Sequence, residues 1–188
     1  MKPFELAPPL EIGQWINTPG PLSLSAMRGR VVMLHAFQML CPGCVSHGLP
    51  QASKVHEMFS EDDVAVIGLH TVFEHHDVMS ANALKAFIHE YRLRFPVGID
   101  KRSSGHIPLT MQAYSLQGTP SLVLIDKLGR VRLNQFGRIE DMALGALVAQ
   151  LSAESAMGEV AAPPVNATEA PAAAVSAAGC HDQTCTVR

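Results

Sequence analysis

Three short runs in the 188-residue chain, Val31-Val32-Met33-Leu34, Val64-Ala65-Val66-Ile67-Gly68-Leu69 and Leu122-Val123-Leu124-Ile125, are continuously apolar and rich in β-branched residues. Strands buried on both faces have this composition, because helices cover the sheet on either side and leave no wet face to alternate toward. Between the second and third runs, Leu84, Phe87, Ile88 and Tyr91 recur at i, i+3, i+4 and i+7 with Ser80 placed as an N-cap, which predicts an amphipathic helix. A second such stripe, Leu144, Leu147, Val148 and Leu151, follows Gly137. Asp126-Lys127-Leu128-Gly129-Arg130 reads as a tight turn that joins the third run to Val131-Arg132-Leu133 as a hairpin. Strands alternating with helices, closed by a hairpin and a helix, predict an α/β sandwich around a central mixed sheet.

The composition changes near Ser152. Residues 153 to 179 hold eleven Ala and three Pro, and no aromatic residue follows Leu151. Such a segment buries too little apolar surface to offset its chain entropy. Residues 1–152 are therefore expected to form one domain, with its core at about residues 10–151, and residues 153–188 a disordered tail that ends in a Cys pair. A formal net charge of -3, with no Lys or Arg run longer than Lys101-Arg102, leaves no electrostatic footprint for nucleic acid or an anionic membrane, and neither partner is expected. The first nine residues contain three prolines and a glutamate and lack the apolar run of a signal or anchor, so the chain as written is expected in the cytoplasm. In that reducing compartment, four cysteines in two short-spaced pairs read as redox-active or metal-binding rather than as structural staples.

The first pair carries the strongest chemical signal. Cys41 comes just after the buried strand that ends near Phe37, and a helical stretch follows from Cys44. A thiol at a helix N-terminus meets unpaired N–H groups and the positive end of the helix dipole, both of which favour its thiolate. Cys44, three residues on, shares that helical face and can close a small disulfide ring. Pro42 has no N–H to lose and is tolerated in the first helical turn. The arrangement suits disulfide exchange, in which Cys41 attacks a partner disulfide and Cys44 resolves the mixed disulfide. The competing reading is half of a zinc site, but its second ligand pair would be Cys180 and Cys185 in the tail, so no metal and no other cofactor is expected.

Gly29-Arg30-Val31-Val32-Met33-Leu34-His35-Ala36-Phe37, followed by Cys41-Pro42-Gly43-Cys44 and Pro50, resembles the active-site region of the TlpA/ResA-like and redoxin (AhpC/TSA-related) branches of the thioredoxin superfamily. Phe95-Pro96-Val97-Gly98-Ile99-Asp100, Tyr114-Ser115-Leu116-Gln117-Gly118-Thr119-Pro120 and Leu124-Ile125-Asp126-Lys127-Leu128-Gly129 follow in the family's order. The resemblance implies a thioredoxin-like α/β/α sandwich. It also implies a thiol-disulfide oxidoreductase acting on protein disulfides or dithiols, served by an electron donor that the sequence does not identify. Cys41 and Cys44 would be catalytic, and Pro42, Gly43, Gly118, Thr119 and Pro120 would hold the partner. Pro120 would be the cis-proline facing the disulfide, with the Thr119 peptide offering backbone hydrogen bonds; the alternative is an ordinary trans-proline starting a strand.

His35 stands where thioredoxins resembling this chain carry a buried carboxylate that manages the second thiol's proton. Two readings stay open, a neutral imidazole that performs that task and a hydrogen-bonded core histidine. Two departures from the family pattern matter. Cys41 and Pro50 are nine residues apart where many relatives have eight, which is expected to displace a kink in the first helix. Phe37 and Leu40 replace tryptophans, which is expected to leave an apolar surface around Cys41. A peroxiredoxin-like peroxidase with Cys41 as peroxidatic cysteine is the alternative function, but Gln38 and Leu34 stand where peroxiredoxins carry a hydroxyl residue and a proline. His70, His75 and His76, near Glu74 and Asp77, read as a solvated loop with no metal-ligand spacing. His47 reads as a solvated helix residue. Asn166-Ala167-Thr168 matches a glycosylation sequon that has no meaning in a cytoplasmic chain.

Overall fold

A computed structural model describes residues 4–155, 179–181 and 184–186. The elements are β1 (Ile12–Ile16), β2 (Val31–Phe37), α1 (Leu49–Met58), β3 (Val64–His70), α2 (Ala81–Glu90), β4 (Val97–Asp100), α3 (Leu109–Ala113), β5 (Gly118–Thr119), β6 (Ser121–Ile125), β7 (Val131–Phe136), α4 (Asp141–Ala153), β8 (Gly179–His181) and β9 (Thr184–Thr186). Six strands form one mixed sheet in the order β1-β4-β3-β2-β6-β7. β3 runs parallel to β2 and β4, while β1/β4, β2/β6 and β6/β7 are antiparallel. The sheet is flanked by helices, as the α/β/α expectation requires.

The three apolar runs are the adjacent strands β3, β2 and β6 at the sheet centre. Every residue of β2 and β6 is buried. Helix α1 contributes Leu49, Ala52 and Val55 to the core, and α4 contributes Leu144, Val148 and Leu151. Ser80 caps α2 by accepting the Ala83 N–H at 3.3 Å. The stripe on α2 is shorter than its periodicity predicts: the helix ends at Glu90, and Tyr91 is 51% exposed with its ring stacked on Phe87 at 4.2 Å. Tyr91 therefore covers the Phe87 ring from the solvent side instead of entering the core.

The hairpin between β6 and β7 turns on Asp126. Its buried carboxylate accepts the N–H groups of Leu128 at 3.0 Å and Arg130 at 2.9 Å, and it pairs with the guanidinium groups of Arg130 and Arg132. A buried carboxylate persists only when such donors replace its water. Gly129 takes φ +73°, a left-handed conformation that favours glycine in this turn. The same Arg132 reaches Glu154 at 3.0 Å just beyond α4, tying the last helix to the hairpin.

His70 does not belong to the loop that follows it. It is the buried last residue of β3, with its ring 5.3 Å from that of Phe37, because its register next to Phe37 carries it into the sheet centre. His75 is exposed and His76 half-buried, in the loop proper. Residues 156–178, within the segment read as a disordered tail and including the sequon at Asn166, lie outside the described residues. Beyond them, β8 and β9 pair as an antiparallel hairpin, and β9 pairs with β5 to form a second small sheet.

Candidate active site

The chain leaves β2 at the sheet centre and turns through residues 38–40 into a helix. Cys41 is the residue before the first helical position, Pro42, and its N–H donates to the Gln38 carbonyl at 3.2 Å. The Cys44 N–H donates toward Cys41 Sγ at 3.2 Å, so the sulfur occupies the place of an N-cap acceptor. Cys41 and Cys44 are joined as a disulfide with their Cα atoms 5.2 Å apart, and both are fully buried. Pro42 is exposed beside them, and Gly43 is buried.

Cys44–Gly48 forms a π-helical turn before α1 begins at Leu49. One inserted residue is what converts an α turn into a π turn, and the nine-residue interval from Cys41 to Pro50 is absorbed there. Pro50 follows that turn directly, and the wider spacing there accommodates a residue with no N–H to give the preceding turn. The turn leaves Gly48 against His35. A methyl group on Gly48 would stand 2.5 Å from His35 Nε2 and 3.4 Å from Pro120 Cβ. His35, Gly48 and Pro120 are thus packed together beneath the turn that starts at Cys44. The sequence reading missed Gly48; the signal was a lone glycine one turn after Cys44 inside a helical stretch.

The Thr119–Pro120 peptide is cis, the isomer the resemblance implies. The Thr119 carbonyl oxygen lies 3.5 Å from Cys41 Sγ. Gly118, Thr119 and Pro120 are all buried. Ser121 Oγ donates to the Gly118 carbonyl at 2.7 Å, and the Gly137 N–H donates to the Pro120 carbonyl at 2.8 Å, which fixes this short segment against the sheet. Of the two tryptophan replacements, Leu40 is 52% exposed next to Cys41, whereas Phe37 is fully buried between the His35 and His70 rings and contributes nothing to the surface. Phe37 ends the central strand, so its ring points into the core rather than out of it.

His35 is buried, and neither ring nitrogen has a protein hydrogen-bond partner among the described residues. Burial lowers its pKa from 6.5 to about 4, because an imidazolium there would lose its water without gaining a partner. His70 is in the same state, also lowered to about 4 by burial. Gln38 is fully buried; its Oε1 accepts the Phe73 N–H at 3.4 Å and its Nε2 donates to Glu74 at 3.3 Å. His47 sits on the exposed side of the π turn, 2.7 Å from Ser46 Oγ. Among the described residues, no three His, Cys, Asp or Glu side chains gather as a metal site, and no helix is long and apolar enough to cross a membrane.

The AhpC/TSA family model matches residues 4–134, which include every element from β1 to β6 and both Cys41 and Cys44. The chain belongs to the AhpC/TSA family. This AhpC/TSA protein shares 54% identity with a crystallised thioredoxin-like superfamily protein, covering 80% of this chain and 98% of that one with a TM-score of 0.79. It shares 52% identity with a thiol-disulfide isomerase from Corynebacterium glutamicum, covering 79% and 98% with a TM-score of 0.75. Its fold is therefore thioredoxin-like. Among curated proteins it is 30% identical over 110 residues to the thiol-disulfide oxidoreductase ResA of Bacillus cereus, 58% of this chain and 57% of that protein. It is 28% identical over 127 residues to NHL repeat-containing protein 2 of Gallus gallus, 66% of this chain and 16% of that one.

The two buried histidines are expected to make the AhpC/TSA domain acid-sensitive. Each binds a proton more readily unfolded, at about 6.5, than folded, at about 4, so stability falls as pH drops through that window and levels off below it. The expected loss at pH 5 is about 2 kcal/mol per histidine. His70→Phe should remove about that much of the pH dependence measured by urea unfolding at pH 7.5 and pH 5. An unchanged difference between the two pH values would show that His70 does not carry it.

Proposed function

We propose that the protein exchanges dithiols and disulfides with protein partners through Cys41 and Cys44. The observation that carries this reading is Cys41 Sγ at a helix N-terminus, 3.2 Å from the Cys44 N–H and 3.5 Å from the Thr119 carbonyl beside cis-Pro120. Helix N–H groups hold the charge of a departing or attacking thiolate. The Gly118-Thr119 backbone is an edge on which an extended partner peptide can hydrogen-bond, with Pro42, Gly43 and exposed Leu40 around the sulfur. The names borne by the Corynebacterium and Bacillus relatives support the same class of reaction.

In the reducing direction, the Cys41 thiolate attacks one sulfur of the partner disulfide and forms a mixed disulfide, releasing the partner's other sulfur as a thiolate. Cys44 then attacks Cys41 Sγ, closes the intrachain disulfide and frees the partner's remaining thiol. In a reducing compartment such as the cytoplasm this is the direction that mass action favours. His35 is a poor store for the Cys44 proton. Burial holds its imidazole at about 4, because an imidazolium there loses its water and gains no hydrogen-bond partner, so it stays neutral where a thiol gives up its proton. We assign His35 instead to the packed floor that Gly48 and Pro120 rest on.

Peroxide reduction is the competing activity, and Gln38 argues against it. Its buried amide is committed to Phe73 and Glu74, in the place where a peroxidase would need a group to orient the peroxide. With dithiothreitol as donor, reduction of insulin disulfides should be clearly accelerated and hydrogen peroxide consumption should stay slow. Fast peroxide consumption that survives Gln38→Ala and is lost in Cys41→Ser would replace exchange with the peroxidase reading.

A further inference from the structure

We propose that Cys180 and Cys185 are a second dithiol, oxidised and reduced by this chain's own active site, with Cys185 as the residue that joins Cys41. The inference rests on the exchange reading above and names one substrate for it, the C-terminal hairpin of the same chain. The backbone pairing carries it. β9 lies antiparallel to β5 with Cys185 opposite Thr119 and Thr186 opposite Gly118. Thr119 is the residue whose carbonyl is 3.5 Å from Cys41 Sγ. The hairpin therefore occupies the strand edge on which a partner peptide would be read, in the manner of β-strand addition. Cys41 has no exposed surface in the same structure, so an external disulfide reaches it only after rearrangement at this face.

The register separates the two tail cysteines. Cys185 is on the strand that touches β5, whereas Cys180 lies on β8, one strand further out, a step of roughly 4.8 Å. Cys180 is paired directly with Cys185 across the hairpin. Residues facing each other in an antiparallel pair have Cα atoms about 4.5–5.5 Å apart, inside the span of about 4.4–6.8 Å that a disulfide bridges. The pairing thus places the two cysteines at a backbone spacing a disulfide can span, and the tether makes their meeting with Cys41 unimolecular, equivalent to a partner at roughly millimolar concentration.

The exchange balances within the chain. A Cys185 thiolate attacks Cys41 Sγ, forms the Cys41–Cys185 bond and expels the Cys44 thiolate. The Cys180 thiolate then attacks Cys185 Sγ, forms Cys180–Cys185 and expels the Cys41 thiolate. Two electrons pass from the tail to the active site, and the two protons lost by the tail thiols are taken up by Cys41 and Cys44. The reverse sequence reduces the tail.

Two full-length double variants test the proposal, Cys44→Ser with Cys180→Ser and Cys44→Ser with Cys185→Ser. Each is reduced, oxidised with glutathione disulfide, blocked and mapped by mass spectrometry. The Cys41–Cys185 bond should form within single chains, at a rate independent of protein concentration. It should form at least about ten-fold faster than Cys41–Cys180, since ångström-scale misplacement of a reacting atom costs that much or more. Equal rates, bonds between chains rather than within them, or tail thiols protected only by added zinc would overturn it. Both variants are also given native insulin. If they capture insulin at Cys41 but form no tail bond, the inference fails and exchange stands; if they capture neither, the exchange reading falls with it.

Discussion

Cys41→Ser should lower insulin-disulfide reduction by roughly a thousand-fold or more, the scale on which removal of a covalent nucleophile acts. Cys44→Ser should also stop turnover, but it should accumulate the mixed disulfide. The two sulfurs differ in their surroundings even though both are buried. Cys41 sits before the first helical residue and accepts the Cys44 N–H, whereas Cys44 lies inside the π turn, with its carbonyl accepting the Leu49 N–H. Cys41 is also the sulfur within 3.5 Å of the Thr119 carbonyl, beside the strand edge that would hold a partner. On non-reducing gels, Cys44→Ser should carry trapped insulin and Cys41→Ser should not. Equal trapping by the two variants would show that the order of attack has been assigned wrongly.

Gly48→Ala should destabilise the domain by about 3 kcal/mol, the upper part of the range for an overpacked core, and lower its melting temperature by about 10 °C. The added methyl would stand 2.5 Å from His35 Nε2, and His35 has little room to withdraw because its ring is stacked near Phe37 and buried on β2. The strain falls on the turn that carries Cys44, so exchange should slow as well. His35→Ala in the same chain should relieve the clash. The double variant is expected to be about 2 kcal/mol more stable than the sum of the two single effects predicts, a coupling of the size seen between residues in contact. Additive effects in thermal and urea unfolding would show that Gly48 does not rest on His35. The pH profile of exchange provides a second readout. Its midpoint should not move in the double variant if His35 packs rather than titrates, and a shifted midpoint would return the proton-managing role to it.

The central strands, the Asp126 turn, the Ser80 cap and the strand-Cys41-Cys44-helix arrangement were legible in the sequence because each rests on local or periodic signals. A doubly buried strand must be apolar along its whole length, an N-cap needs a particular side chain at one position, and a Cys pair three apart on one helix is already in reach of itself. Signals weaken where burial is one-sided. β1 and β7 lie at the sheet edges with none of their residues fully buried, and Tyr91 keeps the helical spacing of its stripe while its side chain stays exposed. His70 has no local mark that separates it from His75 and His76; only its register beside Phe37 puts it inside.

The sequence by itself determined which residues can do chemistry here, since thiol spacing and helix position are properties of a few adjacent residues. Tertiary structure decided what surrounds them, since the contacts of Cys41 come from residues distant along the chain. Thr119 reaches Cys41 across 78 positions, and Gly48 meets His35 only because the extra residue after Cys41 widens one turn. Composition marked the tail as unable to build a core, which is a statement about side-chain burial. Strand addition at Gly118-Thr119 needs only backbone N–H and C=O groups and an unpaired edge, so β9 can lodge beside the disulfide without any apolar pattern that a sequence would display.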